Sequence, residues 1–123
     1  MSYKVLFVDD NPVKSELVQA RLRRQGYEVI AANNGKEALK LFAVYEVDLA
    51  VVDYYMPEMN GDVVAMEMKR NKPDVPIIIF SGAFTLPEMV IAYVDGFVSS
   101  SDEPDALISK VSDILARRAQ RAS

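Results

Sequence analysis

The sequence predicts an α/β fold in which a five-stranded parallel sheet is doubly wound, with helices on both faces. Short apolar runs alternate with helix-length amphipathic stretches along the whole chain. The runs are four or five residues long and mostly lack period-two alternation, as expected of strands buried on both faces. Parallel strands need crossover helices, and right-handed crossovers place those helices on both sides of the sheet.

Five apolar runs are the predicted strands. They span residues 5–8, 27–31, 49–52, 77–80 and, more weakly, 96–98. Five helices are predicted to follow them, beginning near Pro12, Asn34, Asn60, Leu86 and Asp102.

Local signals support individual helices. Pro12 suits a first helical turn, and the apolar side chains of Val13 and Leu17 lie on one predicted face of that helix. Asn34 followed three residues later by Glu37 matches a capping box. The last helix has the clearest apolar periodicity in the chain, at residues 107, 108, 111, 114 and 115.

Length and composition predict one soluble domain over residues 1–123. Residues 117–123 could begin a linker or form the basic end of the last helix. The chain has no cysteine and no histidine, which excludes disulfides, zinc sites built on these residues and Ser-His-Asp triads. A net charge of −4 argues against direct nucleic-acid binding. No apolar run approaches the ~20 residues that cross a membrane, so we expect a cytoplasmic protein.

Acidic and hydroxyl residues lie at the ends of the predicted strands. Asp9 and Asp10 follow the first strand, Asp53 follows the third and Ser81 follows the fourth. Ligands of doubly wound sheets bind beyond the carboxyl ends of the strands, near the point where strand order reverses. We therefore expect three carboxylates and a hydroxyl to converge on one edge of the sheet.

Such a cluster predicts a bound cation. At ~4 Å and an effective dielectric near 20, each pair of carboxylates costs about 4 kcal/mol. Oxygen ligands without histidine or cysteine suit Mg²⁺, Mn²⁺ or Ca²⁺, and a small Mg²⁺ site is typical of phosphoryl transfer. A flavin phosphate site is disfavoured, because Asp9 and Asp10 would repel a bare phosphate and Pro12 lacks an N–H.

Four segments together resemble the motifs of response-regulator receiver domains, in order and at the family's spacing. The specific features are a double Asp, an Asp followed by Met-Pro and Asn-Gly, and a serine after the fourth strand. The segments span residues 5–12, 51–61, 78–82 and 95–98. The resemblance covers essentially the whole chain and implies the flavodoxin-like receiver fold.

The resemblance also implies roles for single residues. Asp53 matches the phosphoacceptor, whose carboxylate attacks a phosphohistidine on a partner protein. Ser81 matches the hydroxyl that binds a phosphoryl oxygen, and Phe97 matches the aromatic residue whose rotamer reports the switch. The implied ligands of Mg²⁺, with Mn²⁺ as a possible substitute, are Asp9, Asp10, Asp53 and the backbone carbonyl of Tyr55.

One departure from the family affects the switch. The family carries a lysine three residues after the strand-five aromatic, usually followed by proline, whereas this chain has Ser100 and Ser101. The next lysine, Lys110, lies inside the last predicted helix. In the family this lysine binds the phosphoryl group and couples it to the loop after strand five. A hydrogen bond to a charged group is worth roughly 1.5–3 kcal/mol. We therefore expect phosphorylation at Asp53 to survive while its coupling to Phe97 weakens.

The stretch between the fourth and fifth strands is also a few residues short for the family, which predicts a reduced fourth helix.

Two further interpretations are weaker. Tyr54 and Tyr55 could flank the acidic site and gate access to it, or simply pack beside it. The basic end of the first helix could belong to a kinase-docking face or only be solvated; its residues are Arg21, Arg23 and Arg24.

The sequence therefore predicts a receiver domain of two-component signalling. Its expected partners are a histidine kinase or phosphotransfer protein and an unidentified downstream protein, with a dimer left open and no membrane partner. An alternative is a degenerate receiver that acts as a phosphorylation-independent interaction or dimerisation module. We expect no enzymatic activity on an external substrate, and only chemistry that phosphorylates and dephosphorylates the domain itself. An aspartyl-phosphate hydrolase is disfavoured because Tyr55 replaces the required acid/base Asp.

Overall fold

The structure, a computed structural model, describes residues 2–82, 86–100 and 105–122, with side chains to residue 120. Five strands alternate with five helices. The strands are β1 (Lys4–Val8), β2 (Glu28–Ala32), β3 (Leu49–Val52), β4 (Ile77–Ser81) and β5 (Gly96–Ser99). The helices are α1 (Pro12–Arg24), α2 (Gly35–Val44), α3 (Gly61–Asn71), α4 (Glu88–Tyr93) and α5 (Asp105–Ala122).

All strand pairs are parallel, in the order β2-β1-β3-β4-β5. The predicted doubly wound sheet is confirmed. Strand order reverses between β1 and β3, where Val8 is paired with Val52 at the carboxyl ends of the two strands. Asp9 and Asp53 are the next residues, so the two strands that precede the predicted acids are immediate neighbours.

The sheet separates two apolar layers. On one face α2, α3 and α4 cover side chains such as Ile77 and Ile79. On the other face α1 and α5 cover side chains such as Ile78, which points away from Ile77 and Ile79. Because the inner strands are buried on both faces, they read as continuous apolar runs rather than as alternating ones. At roughly 25 cal/mol per Å² of buried apolar surface, this double layer is the main stabilising contribution to the sheet.

The predicted apolar face of α1 was wrong. Val13 and Leu17 are 68% and 62% exposed, while Val18 and Leu22 pack against the sheet. The helix therefore carries two apolar stripes, and only one of them is covered by the described residues of this chain.

Other local predictions are confirmed. The Asn34 side chain caps α2 as predicted, accepting a hydrogen bond from the Glu37 N–H at 2.7 Å. The return bond of the capping box differs, because the Glu37 carboxylate accepts from the Asn33 N–H at 3.0 Å, one residue before the cap. Helix α4 has only six residues, as its short sequence predicts. The predicted start of α5 at Asp102 and the position of Ser101 lie outside the described residues. In the part of the chain that the structure describes, no helix has the length and apolarity needed to cross a membrane.

Candidate phosphoacceptor site

Three carboxylates converge at the carboxyl edge of the sheet, as predicted. Asp9 and Asp10 follow β1, and Asp53 follows β3, where its N–H donates to the carbonyl of Val8 at 2.9 Å. One carboxylate oxygen from each acid lies within 4.8 Å of the others. Asp9 and Asp53 are buried, whereas Asp10 is exposed. The cluster therefore opens to solvent on the side of Asp10.

The two carboxylate oxygens of Asp9 have different environments. Its Oδ1 accepts a hydrogen bond from the Asn11 N–H at 2.9 Å. Its Oδ2 receives no hydrogen bond, which is true of no other buried side-chain polar atom among the described residues. The ammonium of Lys14 lies 3.0 Å from that oxygen and forms an ion pair with it. Oδ2 of Asp9 is thus a buried carboxylate oxygen that pairs with a cation.

Asp53 is a buried acid with opposing influences on its pKa. Burial is the largest and raises the pKa of its carboxyl group, and the negative charge of Asp9 acts in the same direction. The positive charge of Lys14, a hydrogen bond from the Ser81 side chain and one from the Tyr55 N–H lower it. The raising effects prevail, so Asp53 is harder to ionise than an ordinary aspartate when no further cation is present.

The loop after Asp53 is closed by Gly61. The Gly61 N–H donates to the carbonyl of Tyr54 at 2.7 Å. A Cβ on Gly61 would collide with the backbone carbonyl of Asp53, which explains the glycine at this position. Between them Glu58 adopts a positive φ of 69°. The segment with the Met-Pro and Asn-Gly features therefore turns tightly against Asp53 itself.

Strands β4 and β5 place the remaining predicted residues. Ser81 is fully buried as the last residue of β4, and its carbonyl accepts from the Ser100 N–H at 2.8 Å. Phe97 is half-buried against the layer of α2, α3 and α4. It is paired with Ile79 in the sheet, two residues before Ser81. The structure therefore brings Ser81 to Asp53, whereas Phe97 lies further back along β5.

The acidic cluster fits a hard divalent cation. Its ligand atoms are carboxylate oxygens, which suit Mg²⁺ and, by the same chemistry, Mn²⁺. The buried Oδ2 of Asp9 already pairs with the Lys14 ammonium, so this position accepts a positive charge. The predicted carbonyl ligand at Tyr55 stays a prediction; the structure adds that the N–H of this residue binds Asp53.

Comparison with known proteins decides the family. Residues 5–112 match the family described as the response regulator receiver domain. The chain belongs to this family. The resemblance inferred from its motifs is therefore confirmed, as is its place in two-component signal transduction. The assembled acids and Ser81 do not favour the degenerate alternative.

Individual relatives agree with this assignment. The probable transcriptional regulator ycf29 of Pyropia yezoensis is 34% identical over 95% of this chain, which spans 55% of that protein. The response regulator TrrA of Thermotoga maritima, solved with Mg²⁺-BeF, is 35% identical with a TM-score of 0.86, over 90% of this chain and 97% of that one. TrrA solved in complex with the histidine kinase ThkA is 36% identical with a TM-score of 0.86, over 92% of this chain and 98% of that one. This receiver domain thus spans about half the length of the first relative.

Tyr54 and Tyr55 contact each other in the loop that follows Asp53. Their rings meet edge to face, with centroids 4.9 Å apart. Tyr55 is largely exposed, whereas burial raises the pKa of Tyr54. Their predicted role in gating is not decided by this contact. Arg21, Arg23 and Arg24 are exposed in the last turns of α1, on the helix predicted to meet a kinase.

Sequence reasoning missed Lys14. In the receiver domain its ammonium lies beside Asp9 and over the Phe80 ring, 4.8 Å from the ring centroid. A signal was present in the sequence, because a lysine in the first turn of the helix follows the acidic loop directly. What the sequence could not show is that the side chain turns toward the acids.

Proposed function

We propose that this receiver domain accepts a phosphoryl group on Asp53 from a partner phosphohistidine. The observation that carries the assignment is the environment of that carboxylate. Asp53 is buried at the switch point of the sheet, bonded by Ser81 and the Tyr55 N–H, with Asp9 and Asp10 within 4.8 Å. An isolated turn-forming aspartate would have no reason to be buried beside two other acids.

The proposed reaction is a direct displacement at phosphorus. A carboxylate oxygen of Asp53 attacks the phosphorus, the P–O bond forms and the P–N bond breaks. The electron pair of the broken bond goes to the imidazole ring, which leaves neutral when its other nitrogen is protonated. Asp53 must be ionised to attack, and Lys14, Ser81 and the Tyr55 N–H are the groups that favour its ionised form. After transfer, the Ser81 hydroxyl is placed to donate to a phosphoryl oxygen.

We assign Asp9, Asp10, Asp53 and the Tyr55 carbonyl as the residues that would hold Mg²⁺, or Mn²⁺ in its place. The ion, when bound, supplies positive charge that offsets the repulsion between the carboxylates and the incoming phosphoryl oxygens. The phosphoryl group is removed by hydrolysis at the same site, which releases phosphate and regenerates the Asp53 carboxylate. We therefore infer that the chemistry of this domain is confined to its own phosphorylation and dephosphorylation.

The exposed stripe of α1 is the proposed contact with the phosphodonor protein. Val13 and Leu17 are apolar, largely exposed and close to the acidic edge of the sheet. Arg21 continues the same side of the helix, one turn further on. Support comes from TrrA, which was solved bound to a histidine kinase. The expected donor is thus a histidine kinase or phosphotransfer protein in the cytoplasm.

Intact-mass analysis tests the acceptor. The protein is treated with acetyl phosphate and Mg²⁺, and the gain of one phosphoryl group is measured over time. We expect a labile adduct that is absent in Asp53→Asn and retained in Asp113→Asn, a matched change at an exposed carboxylate of α5. An equally labelled Asp53→Asn protein would refute the assignment. No labelling of the unsubstituted protein would instead favour a phosphorylation-independent module.

A further inference from the structure

Lys14 brings a positive charge to the acidic edge of the sheet. Its ammonium lies 3.0 Å from Oδ2 of Asp9, and its side chain is 26% exposed while that of Asp9 is fully buried. Among the described residues, no other basic side chain forms an ion pair with Asp9, Asp10 or Asp53. The local positive charge of the site therefore comes from α1.

Lys14 is held in place both by its backbone and by its side-chain ammonium. Its backbone N–H donates to the Asn11 side chain at 3.1 Å, so the residue is fixed in the capped first turn of α1. Its ammonium lies over the ring of Phe80, the residue that directly precedes Ser81 in β4. Lys14 therefore reaches across from α1 toward β4, the strand that supplies the phosphoryl-binding hydroxyl.

Lys14 also lines the same groove as Ser100. This groove, of about 370 Å³, lies between the start of α1 and the residue that follows β5. Ser100 is exposed there and has no charge. Lys14 thus lines the same groove as the position at which the family carries a lysine and this chain has Ser100.

The charges of the phosphorylated site require a further cation. A phosphoryl group carries about −1.5 to −2 charges at neutral pH, and Asp9 and Asp10 add two more. A divalent ion offsets only about half of this sum. The Lys14 ammonium is close to the acceptor already, since it lies 3.0 Å from Asp9, and carboxylate oxygens of Asp9 and Asp53 lie within 4.8 Å of each other.

We propose that Lys14 is the phosphoryl-binding cation of this receiver domain: it pairs with Asp9 while Asp53 is free and donates to a phosphoryl oxygen once Asp53 is phosphorylated. The inference rests on the proposed function of Asp53. It assigns to a helix α1 residue a contact that Ser100 is too short and uncharged to make. The same ammonium opposes binding of a divalent ion at Asp9 before phosphorylation, because the two cations repel each other.

A purely structural role for Lys14 makes different predictions from a phosphoryl-binding role. A lysine that only anchored α1 would change the affinity for a metal ion and for a phosphoryl mimic in the same direction, or change neither. A phosphoryl-binding lysine changes them in opposite directions. Removing it takes a repulsive charge away from the metal but an attractive charge away from the phosphoryl oxygens.

The test compares Lys14→Met with Lys14→Arg and with Lys40→Met, which removes an exposed lysine of α2. Mg²⁺ alone is titrated first, and beryllium fluoride is then titrated at saturating Mg²⁺, with the Tyr55 amide followed by NMR. We expect Lys14→Met to bind Mg²⁺ more tightly and beryllium fluoride about tenfold more weakly. Lys14→Arg should retain most of the beryllium fluoride affinity, and Lys40→Met should match the unsubstituted protein in both titrations.

Beryllium fluoride binding by Lys14→Met that equals that of the unsubstituted protein overturns the inference. So does a parallel weakening for Mg²⁺ and beryllium fluoride, which indicates a structural role. Should Lys14→Met fail to fold, as judged by its amide spectrum, Lys14→Gln is measured in the same way. If the unsubstituted protein itself binds no beryllium fluoride, the proposed function fails and this inference fails with it, which the two titrations distinguish from a failure of Lys14 alone.

Discussion

The Cα of Gly61 lies directly against the backbone carbonyl of Asp53. A Cβ at this glycine would be 2.9 Å from the carbonyl carbon of Asp53 and closer still to its oxygen. Because both atoms are backbone, neither can rotate away as a side chain would. The first residue of α3 therefore fixes how closely that helix approaches the acceptor.

Gly61→Ala is expected to destabilise the protein and displace Asp53. Overpacking of this kind typically costs about 1–3 kcal/mol, measurable as a lower free energy of unfolding in a urea titration. Phosphorylation by acetyl phosphate should slow as well, because Asp53 moves relative to Asp9. Gly82→Ala is the matched control, since among the residues that the structure describes a Cβ there meets only the Ser100 Oγ, at an ordinary 3.5 Å. Equal effects of the two changes would refute this explanation.

Asp53→Asn should change how stability depends on pH. Burial raises the pKa of Asp53 in the folded state, so the folded protein holds its proton to higher pH than the unfolded chain. The free energy of unfolding is then greatest below the ordinary pKa of an aspartate, and it falls as pH rises through the raised pKa of Asp53. The introduced amide cannot ionise, so the variant should lose this fall and be more stable at neutral pH without divalent ions.

Urea titrations in EDTA across the acidic to neutral range measure this effect. Asp113→Asn serves as the control, because that carboxylate is exposed on α5. A neutral-pH stability of Asp53→Asn below that of the unsubstituted protein would contradict the prediction. Added Mg²⁺ should narrow the difference between the two proteins, since a cation favours the ionised Asp53.

Ser81→Ala should leave Asp53 harder to ionise and slower to react. The hydroxyl of Ser81 is fully buried and its hydrogen bond lowers the pKa of Asp53. A hydrogen bond to a charged group is worth roughly 1.5–3 kcal/mol, so acetyl phosphate labelling should slow by about tenfold or more. Carbon NMR of the Asp53 carboxyl group should show its pKa moving further upward. Ser109→Ala, at an exposed serine of α5, should change neither measurement.

The acceptor site was largely predictable from the sequence, for a topological reason. Parallel strands end at the same edge, so residues that follow β1, β3 and β4 meet there whatever their side chains are. The face of α1 that packs on the sheet was harder to predict, because the helix carries the apolar pair Val13 and Leu17 as well as Val18 and Leu22. Only packing against the sheet decides which pair is covered. Lys14 was missed for the same reason, since its reach depends on how α1 is rotated.

The uncovered stripe of α1 should matter for the phosphodonor and not for folding. Leu17→Asp places a charge on a surface that is already exposed, so the free energy of unfolding should change by less than about 0.5 kcal/mol. Phosphotransfer from a cognate histidine kinase should nevertheless weaken, whereas labelling by acetyl phosphate should not. Val44→Asp, at another exposed apolar residue on α2, is the control. Equal losses with both phosphodonors would place the defect at Asp53 rather than at docking.

Ser100→Lys should strengthen the coupling between Asp53 and Phe97. The Ser100 N–H is bonded to the Ser81 carbonyl, so a lysine at this position would start beside Ser81, the proposed phosphoryl-binding residue. Its ammonium would tie β5 to the phosphoryl group, and a ligand shifts a two-state protein only by its differential affinity for the two states. Lys14 cannot replace this link, because it belongs to α1.

Chemical shifts of Phe97 and Val98, with and without beryllium fluoride and Mg²⁺, measure that coupling. We expect small changes in the unsubstituted protein and larger ones in Ser100→Lys, while Ser109→Lys adds the same charge on α5 without effect. Changes at Phe97 that are already as large in the unsubstituted protein would mean that the phosphoryl group reaches β5 by another route. The backbone bond between Ser81 and Ser100 would then be the connection to test next, since it joins β4 to β5 at the same edge.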